Sequence, residues 1–325
     1  MHGWWVVPTL ALGLSVFACG GRGASGAGDK TADLDGDPLA LLPGSVVFAG
    51  SLDARALFDE STVGSRLAAI GERLLPLGDE AGFRASRDVD RVVFAGYATT
   101  GADVAVIVRG RFDEAKISGA TRARDGTAIV RGLYAGRTTY TIGAASYAVL
   151  TSKTVVVGTG DGLRRVLERV HDGNFTRALL PWVTETLETQ GAQVAVAGDF
   201  ATQPIASVAV GSLKLPWLQG MRMARVVGNF APPGMNFATT LSYGVSQQAE
   251  AAAEGVRFVD GWLNVLGPLL GGIRLQNLAI STDRSDLRCK FALDDQALAS
   301  LLALASRLLP AYSSSASASS PHAAP

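Results

Sequence analysis

Histidine and cysteine are nearly missing from this chain of 325 residues, which has three of the first and two of the second. His2 and His322 stand close to the ends, so only His171 belongs to the body. One histidine and one cysteine cannot close a Cys/His zinc site, and no metal or cofactor is expected. A Ser-His-Asp triad would have only His171 as its base, and no Gly-x-Ser-x-Gly turn presents a nucleophile. Two cysteines are also too few for a disulfide framework. Excess charge is lacking too. The 29 basic and 29 acidic residues cancel, and no Lys/Arg run is longer than Arg164-Arg165. The chain as a whole therefore has no pull toward nucleic acid, which is not expected as a partner.

What is present is material for a core: 48% of residues are hydrophobic and 18% charged, which argues against global disorder. Residues 4–18 form an uncharged, mostly apolar stretch of 15 residues. A bilayer-spanning helix needs about 20, so the length suits the hydrophobic core of a signal peptide. The stretch ends in Val16-Phe17-Ala18-Cys19-Gly20. This resembles the lipobox of bacterial lipoproteins, and the overall layout resembles lipoproteins of myxobacterial type. The resemblance implies cleavage after Ala18 and a diacylglycerol on Cys19, with residues 1–18 removed. An ordinary cleaved signal that leaves Cys19 free, or an uncleaved anchor, are the alternatives. Residues 19–38 are rich in Gly, Ala and Asp and read as a flexible tether reaching roughly 25 Å. The Ser/Ala/Pro-rich stretch 313–325 reads as a disordered tail.

Between them the pattern predicts an α+β fold. Val/Phe-rich strands are expected at 45–52, 90–97 and 103–112, with short strands across 128–157. Val63, Leu67, Ile70 and Leu74 recur at helical spacing, and so do Leu163, Val166, Leu167 and Val170 in a helix over 161–171. The second half repeats this order. Strands are expected at 193–200, 223–230 and 236–243, a helical stretch at 204–218, and a long helix from about Gln247. A hairpin turning at 283–286 and a last helix from Asp294 follow. Two short echoes accompany the repeat: Val196-Ala-Gly-Asp199 against Phe48-Ala-Gly-Ser51, and Arg225-Val-Val227 against Arg91-Val-Val93. The expectation is a duplicated module of antiparallel sheet packed against helices, 39–175 and 191–312, joined through 176–190.

The motifs inside the body read as structural. Gly158-Thr-Gly160-Asp-Gly162 runs from strand to helix, the setting of a dinucleotide fingerprint, but Leu163 stands where its third glycine belongs. Cys289 alternates with Arg288 and Lys290 and is expected to point inward. Asp53, Asp113 and Asp199 follow strands and read as caps and turn formers. No catalytic or cofactor-binding residue is assigned, and Cys19, as lipidation site, is the one named site. The expected role is a non-enzymatic binding or scaffold module in the cell envelope. It would be held by a lipid on Cys19 at the outer membrane or the periplasmic face of the inner one. Other envelope proteins are its expected partners. The alternatives are a carrier that holds a lipid or other apolar ligand along the helix 256–273, and a hydrolase built on a carboxylate pair.

Overall fold

The computed structural model describes residues 31–308, except 61–62, 75–76, 78, 100–102, 206–208, 211–212 and 268–270. Cys19, most of the tether and the tail lie outside the described residues, as does the turn expected at Gly101. The first half comprises α1 (Thr31–Gly36), β1 (Phe48–Leu52), α2 (Ala54–Asp59), α3 (Gly64–Leu74), α4 (Ala85–Asp88), β2 (Val89–Gly96), β3 (Val104–Gly110) and α5 (Glu114–Gly119). It continues with β4 (Val130–Tyr134), β5 (Arg137–Ile142), β6 (Ala145–Thr151), β7 (Thr154–Gly158) and α6 (Gly160–His171). The helix α7 (Pro181–Leu187) leads to β8 (Val194–Asp199). The short pair β9 (Ala209–Val210) and β10 (Leu213–Lys214) precedes β11 (Met221–Ala231) and β12 (Gly234–Tyr243). Then come α8 (Ser246–Leu266), β13 (Gln276–Asp283), β14 (Asp286–Asp294) and α9 (Asp295–Leu308). The fold is α+β, as the pattern predicts.

Twelve of these strands form one sheet in the order β13-β14-β12-β11-β8-β1-β2-β3-β7-β6-β5-β4. The expected modules therefore share a sheet. Their seam is the antiparallel pair β1–β8, with Phe48 opposite Gly198 and Leu52 opposite Val194. Outward from the seam one half runs β1, β2, β3, β7 and the other runs β8, β11, β12, β14. Each half thus lays down a central strand, adds a hairpin beside it, makes an excursion, and returns a strand to the hairpin's outer edge. The repeat holds at the level of strand order. The residue echoes do not share its register. Val226 lies opposite Val196, whereas Val92 lies opposite Leu52, four residues beyond Phe48.

Alternation assigns side chains to two faces. On one, Leu52, Val92, Val106, Val155 and Phe237 pack with α2, α3, α5 and α9. Farther along that face, Leu287 and Cys289 pack under α8. On the other, Ala49, Val93, Ile107, Val156 and Ala195 pack with α6, α7 and the N-terminal segment. That segment starts the body earlier than its composition predicts. Leu34, Leu39, Leu41 and Leu42 are all buried, and Asp35 accepts hydrogen bonds at 2.6 Å from both Thr151 Oγ1 and Thr154 Oγ1. Of these, only Leu34 and Asp35 lie in the stretch 19–38 that reads as tether, and the burial of Leu34 with its three neighbours outweighs that Gly/Asp-rich context. The stretch 204–218 also differs from expectation. In place of a helix it holds the β9–β10 pair and a 3-10 turn at Pro216–Leu218, consistent with prolines at its start and end.

One helix breaks the repeat. After β7, α6 turns onto the second face, where Leu163 and Val166 meet Ala105 and Val156. After β14, α9 turns the other way. Its Ala297, Leu298 and Leu302 join Met235, Phe237 and Leu293, and Arg66 Nη1 of α3 donates to the Ala299 carbonyl at 3.1 Å. The second face of β12, β14 and β13 is therefore left without a helix among the described residues.

Candidate functional site

The uncovered face begins where α7 ends. Trp182 of α7 lies under the Arg225 guanidinium, 5.1 Å from ring centre to carbon, and beyond that pair the face is polar. Ala238, Thr240, Arg288, Lys290, Ala279 and Ser281 point from it, and Arg288 and Lys290 are exposed. The turn after α7 stands at its border. Gly191 takes φ +78°, and the Thr189 hydroxyl donates to the Thr186 carbonyl at 2.9 Å, which closes the helix end. Gln193 then joins the turn to the sheet by accepting the Phe230 N–H at 2.5 Å.

A cleft lies on each side of this turn. The first, about 570 Å³, runs over the open face and is lined by Gln190, Asn229, Asn236, Asn277 and Lys290 beside Val227 and Ala238. Side-chain amides dominate its polar lining, and Lys290 is its one charged group. The second, about 600 Å³, lies over the end of β1 and the start of β2 and holds Ser51, Asp53, Arg55, Asp90, Arg91 and Glu188. Its charges are mostly committed. Asp90 Oδ1 accepts from Arg55 Nε at 3.1 Å and Nη2 at 2.5 Å. Glu188 takes both terminal nitrogens of Arg177, at 2.8 and 2.6 Å, and with Asp37 it holds that guanidinium's pKa above the ordinary range. Arg91 donates to Ser51 Oγ at 3.0 and 3.2 Å and has no carboxylate partner among the described residues.

The residues singled out in the sequence are scattered. Asp53 caps α2 through the Ala56 N–H, and Asp113 caps α5 through the Lys116 N–H. Asp199 accepts from the Ala201 N–H in its own turn. Asp53 and Asp199 sit at opposite ends of the β1–β8 pair, roughly 20 Å of strand apart. Asp53 shares its cleft with Asp90 and Glu188, a grouping that spacing along the chain does not reveal. His171 ends α6 and is exposed. Thr159 caps α6 by accepting the Gly162 N–H at 3.3 Å. Gly162 is pressed against β3: a Cβ there would stand 2.0 Å from the Val104 carbonyl oxygen. The glycine run thus serves helix–strand contact. Cys289 is buried at 5% exposure under α8, and burial pushes its thiol up to about 11. In α8, Ala249, Ala252 and Ala253 are buried against the sheet, and Gly255 receives the Trp217 ring. Phe258 and Val265 face outward.

No family model and no curated protein matches this chain. Solved structures do. A crystal form of TP0453 (form I) aligns with 83% of this chain and 97% of its own, at 13% identity and a TM-score of 0.51. A second (form III) covers 82% and 98%, at 13% identity and a TM-score of 0.50. At that identity the likeness is one of fold. It spans nearly all of those chains.

Proposed function

We propose that this chain is a membrane-anchored lipoprotein of the cell envelope whose body is a non-enzymatic binding or scaffold module. A lipid on Cys19 holds it, and the uncovered sheet face receives its partner. One observation carries the binding role: α9 leaves the face its counterpart α6 covers in the first half, so β12, β14 and β13 present side chains outward beside an amide-lined cleft. An antiparallel sheet tolerates one solvated face, and such a face is available for contact. Other envelope proteins are the partners favoured for this surface, because the open face presents Thr240, Ser281, Arg288 and Lys290 outward.

The test places a photo-crosslinking residue at Lys290, and separately at Arg164 on the outer surface of α6, in the native envelope. The reading expects discrete crosslinked species from position 290 and none shared with position 164. Identical, diffuse labelling from both positions would count against it.

A carboxylate-dependent hydrolase is the second reading, favoured by the meeting of Asp53, Asp90 and Glu188 in one cleft. It requires a released carboxylate, whereas Asp90 and Glu188 are held by Arg55 and Arg177.

A further inference from the structure

A third cleft, about 440 Å³, lies at the same end of the sheet, over the start of β2, the end of β3 and the β6–β7 turn. Its wall carries Arg87, Arg111, Lys116 and Lys153 against two carboxylates, Asp88 and Asp113. In a chain whose charges cancel overall, this is a local excess of positive charge. Both carboxylates are used. Asp88, buried at 7% exposure, accepts from Arg87 Nε at 2.6 Å and Nη2 at 2.7 Å, and from the Arg84 N–H at 2.8 Å. Asp113 caps α5 and pairs with Lys116 Nζ at 3.3 Å.

Arg111 and Lys153 are left over. Arg111 Nη2 donates to the Arg87 carbonyl at 2.9 Å, which fixes the guanidinium without neutralising it. Lys153 stands at the tip of the β6–β7 turn, and its ammonium has no partner among the described residues. The backbone holds these two neighbours in place: Gly110 N–H donates to the Lys153 carbonyl at 3.0 Å and Phe112 N–H to the Ser152 carbonyl at 2.8 Å. Two uncompensated cations, one a guanidinium with donors to spare, suit a phosphate oxyanion.

The position of the cleft suggests the source of that phosphate. Asp35 of α1 is bonded to Thr151 and Thr154, the residues on either side of Ser152-Lys153. The N-terminal segment therefore joins the body at this turn. Cys19 is 16 residues before Asp35, and the 12 residues from Cys19 to Thr31 span at most about 43 Å fully extended. We infer that Arg111 and Lys153 form a site for the phosphate of an anionic phospholipid headgroup, which orients the body on the membrane that anchors it. The choice of a headgroup rests on the proposed anchor at Cys19.

The test uses the chain from Gly20 onward, which keeps every buried residue among those described, Leu34 being the first. Lacking Cys19, it reports on the cleft whether or not Cys19 is acylated. Co-sedimentation is measured with phosphatidylcholine vesicles, alone and with roughly a third phosphatidylglycerol. The expected result is binding that requires phosphatidylglycerol and falls about tenfold or more in Arg111→Gln/Lys153→Gln. A control pair at the opposite end of the sheet, Arg164→Gln/Arg222→Gln, keeps wild-type binding. Thermal unfolding confirms that each variant is folded. If the double variant is not, Lys153→Gln alone decides, since that side chain has no partner to lose. Equal losses from both pairs, or no preference for phosphatidylglycerol, would overturn the proposal. Saturable binding of glycerol phosphate that depends on Arg111 and Lys153, without vesicle binding, would overturn the headgroup and assign the cleft to a free phosphate.

Discussion

At the scale of single residues, Cys289 and Gly162 show what sequence reading reaches and where it stops. The alternation Leu287-Arg-Cys289-Lys-Phe291 places the thiol inward, because a period of two has only two faces to offer. Burial then raises its pKa from 9.0 to about 11. Two units leave about a hundredth of the thiolate, so a thiol reagent at neutral pH should modify the native chain about 100-fold more slowly than the denatured one. Equal rates would show the thiol exposed. The same shift has a sign for stability. Below pH 9 the thiol is neutral in folded and unfolded chains alike. As pH rises through 9 the unfolded chain ionises first, so stability is lost until about pH 11, by at most about 2–3 kcal/mol. Denaturation midpoints of wild type and Cys289→Ala should therefore converge across that window. Gly162 is different. The strand-to-helix setting of the glycines is visible in the sequence, but the contact with the Val104 carbonyl comes from another strand and is not. Gly162→Ala should cost about 1–3 kcal/mol through overpacking, while Gly160→Ala, with open space around it, should shift stability by under about 0.5 kcal/mol.

At the scale of elements, periodic segments were readable because local pattern decided them. The helix over 161–171, the hairpin at 283–286 and the paired strands of both halves all follow hydrophobic spacing. Elements decided by distant contacts were not readable. α1 sits in a polar, Gly-rich context, and its docking depends on two threonines more than a hundred residues away. Asp35→Ala strips the shared acceptor from the hydroxyls of Thr151 and Thr154, which are 5% and 0% exposed. It should cost about 2–3 kcal/mol in urea denaturation and speed proteolysis near residues 31–42. An unchanged midpoint would mean that α1 is not held there. The direction taken by α9 is equally non-local. Its sequence specifies an apolar stripe, and contacts from elsewhere in the chain, among them Arg66 and the Phe237 face, determine which side of the sheet that stripe covers.

At the scale of the whole molecule, the duplication expected from element order reappears as strand order about the β1–β8 seam. The short sequence echoes that accompany it fall in different registers. The departure from that symmetry, one terminal helix on the opposite face, is also what opens the candidate binding surface. The three clefts, the α7 turn and the attachment of α1 gather at one end of the sheet, a convergence that no single segment of sequence encodes. The proposed anchorage of the whole molecule depends on Cys19. The most direct measurement is intact mass together with membrane fractionation of wild type and Cys19→Ala expressed in a bacterial envelope. The account predicts a wild-type mass that begins at Cys19 and carries acyl chains, with retention in the membrane fraction that the variant loses. An unmodified wild-type mass, with equal membrane retention of both proteins, would contradict it.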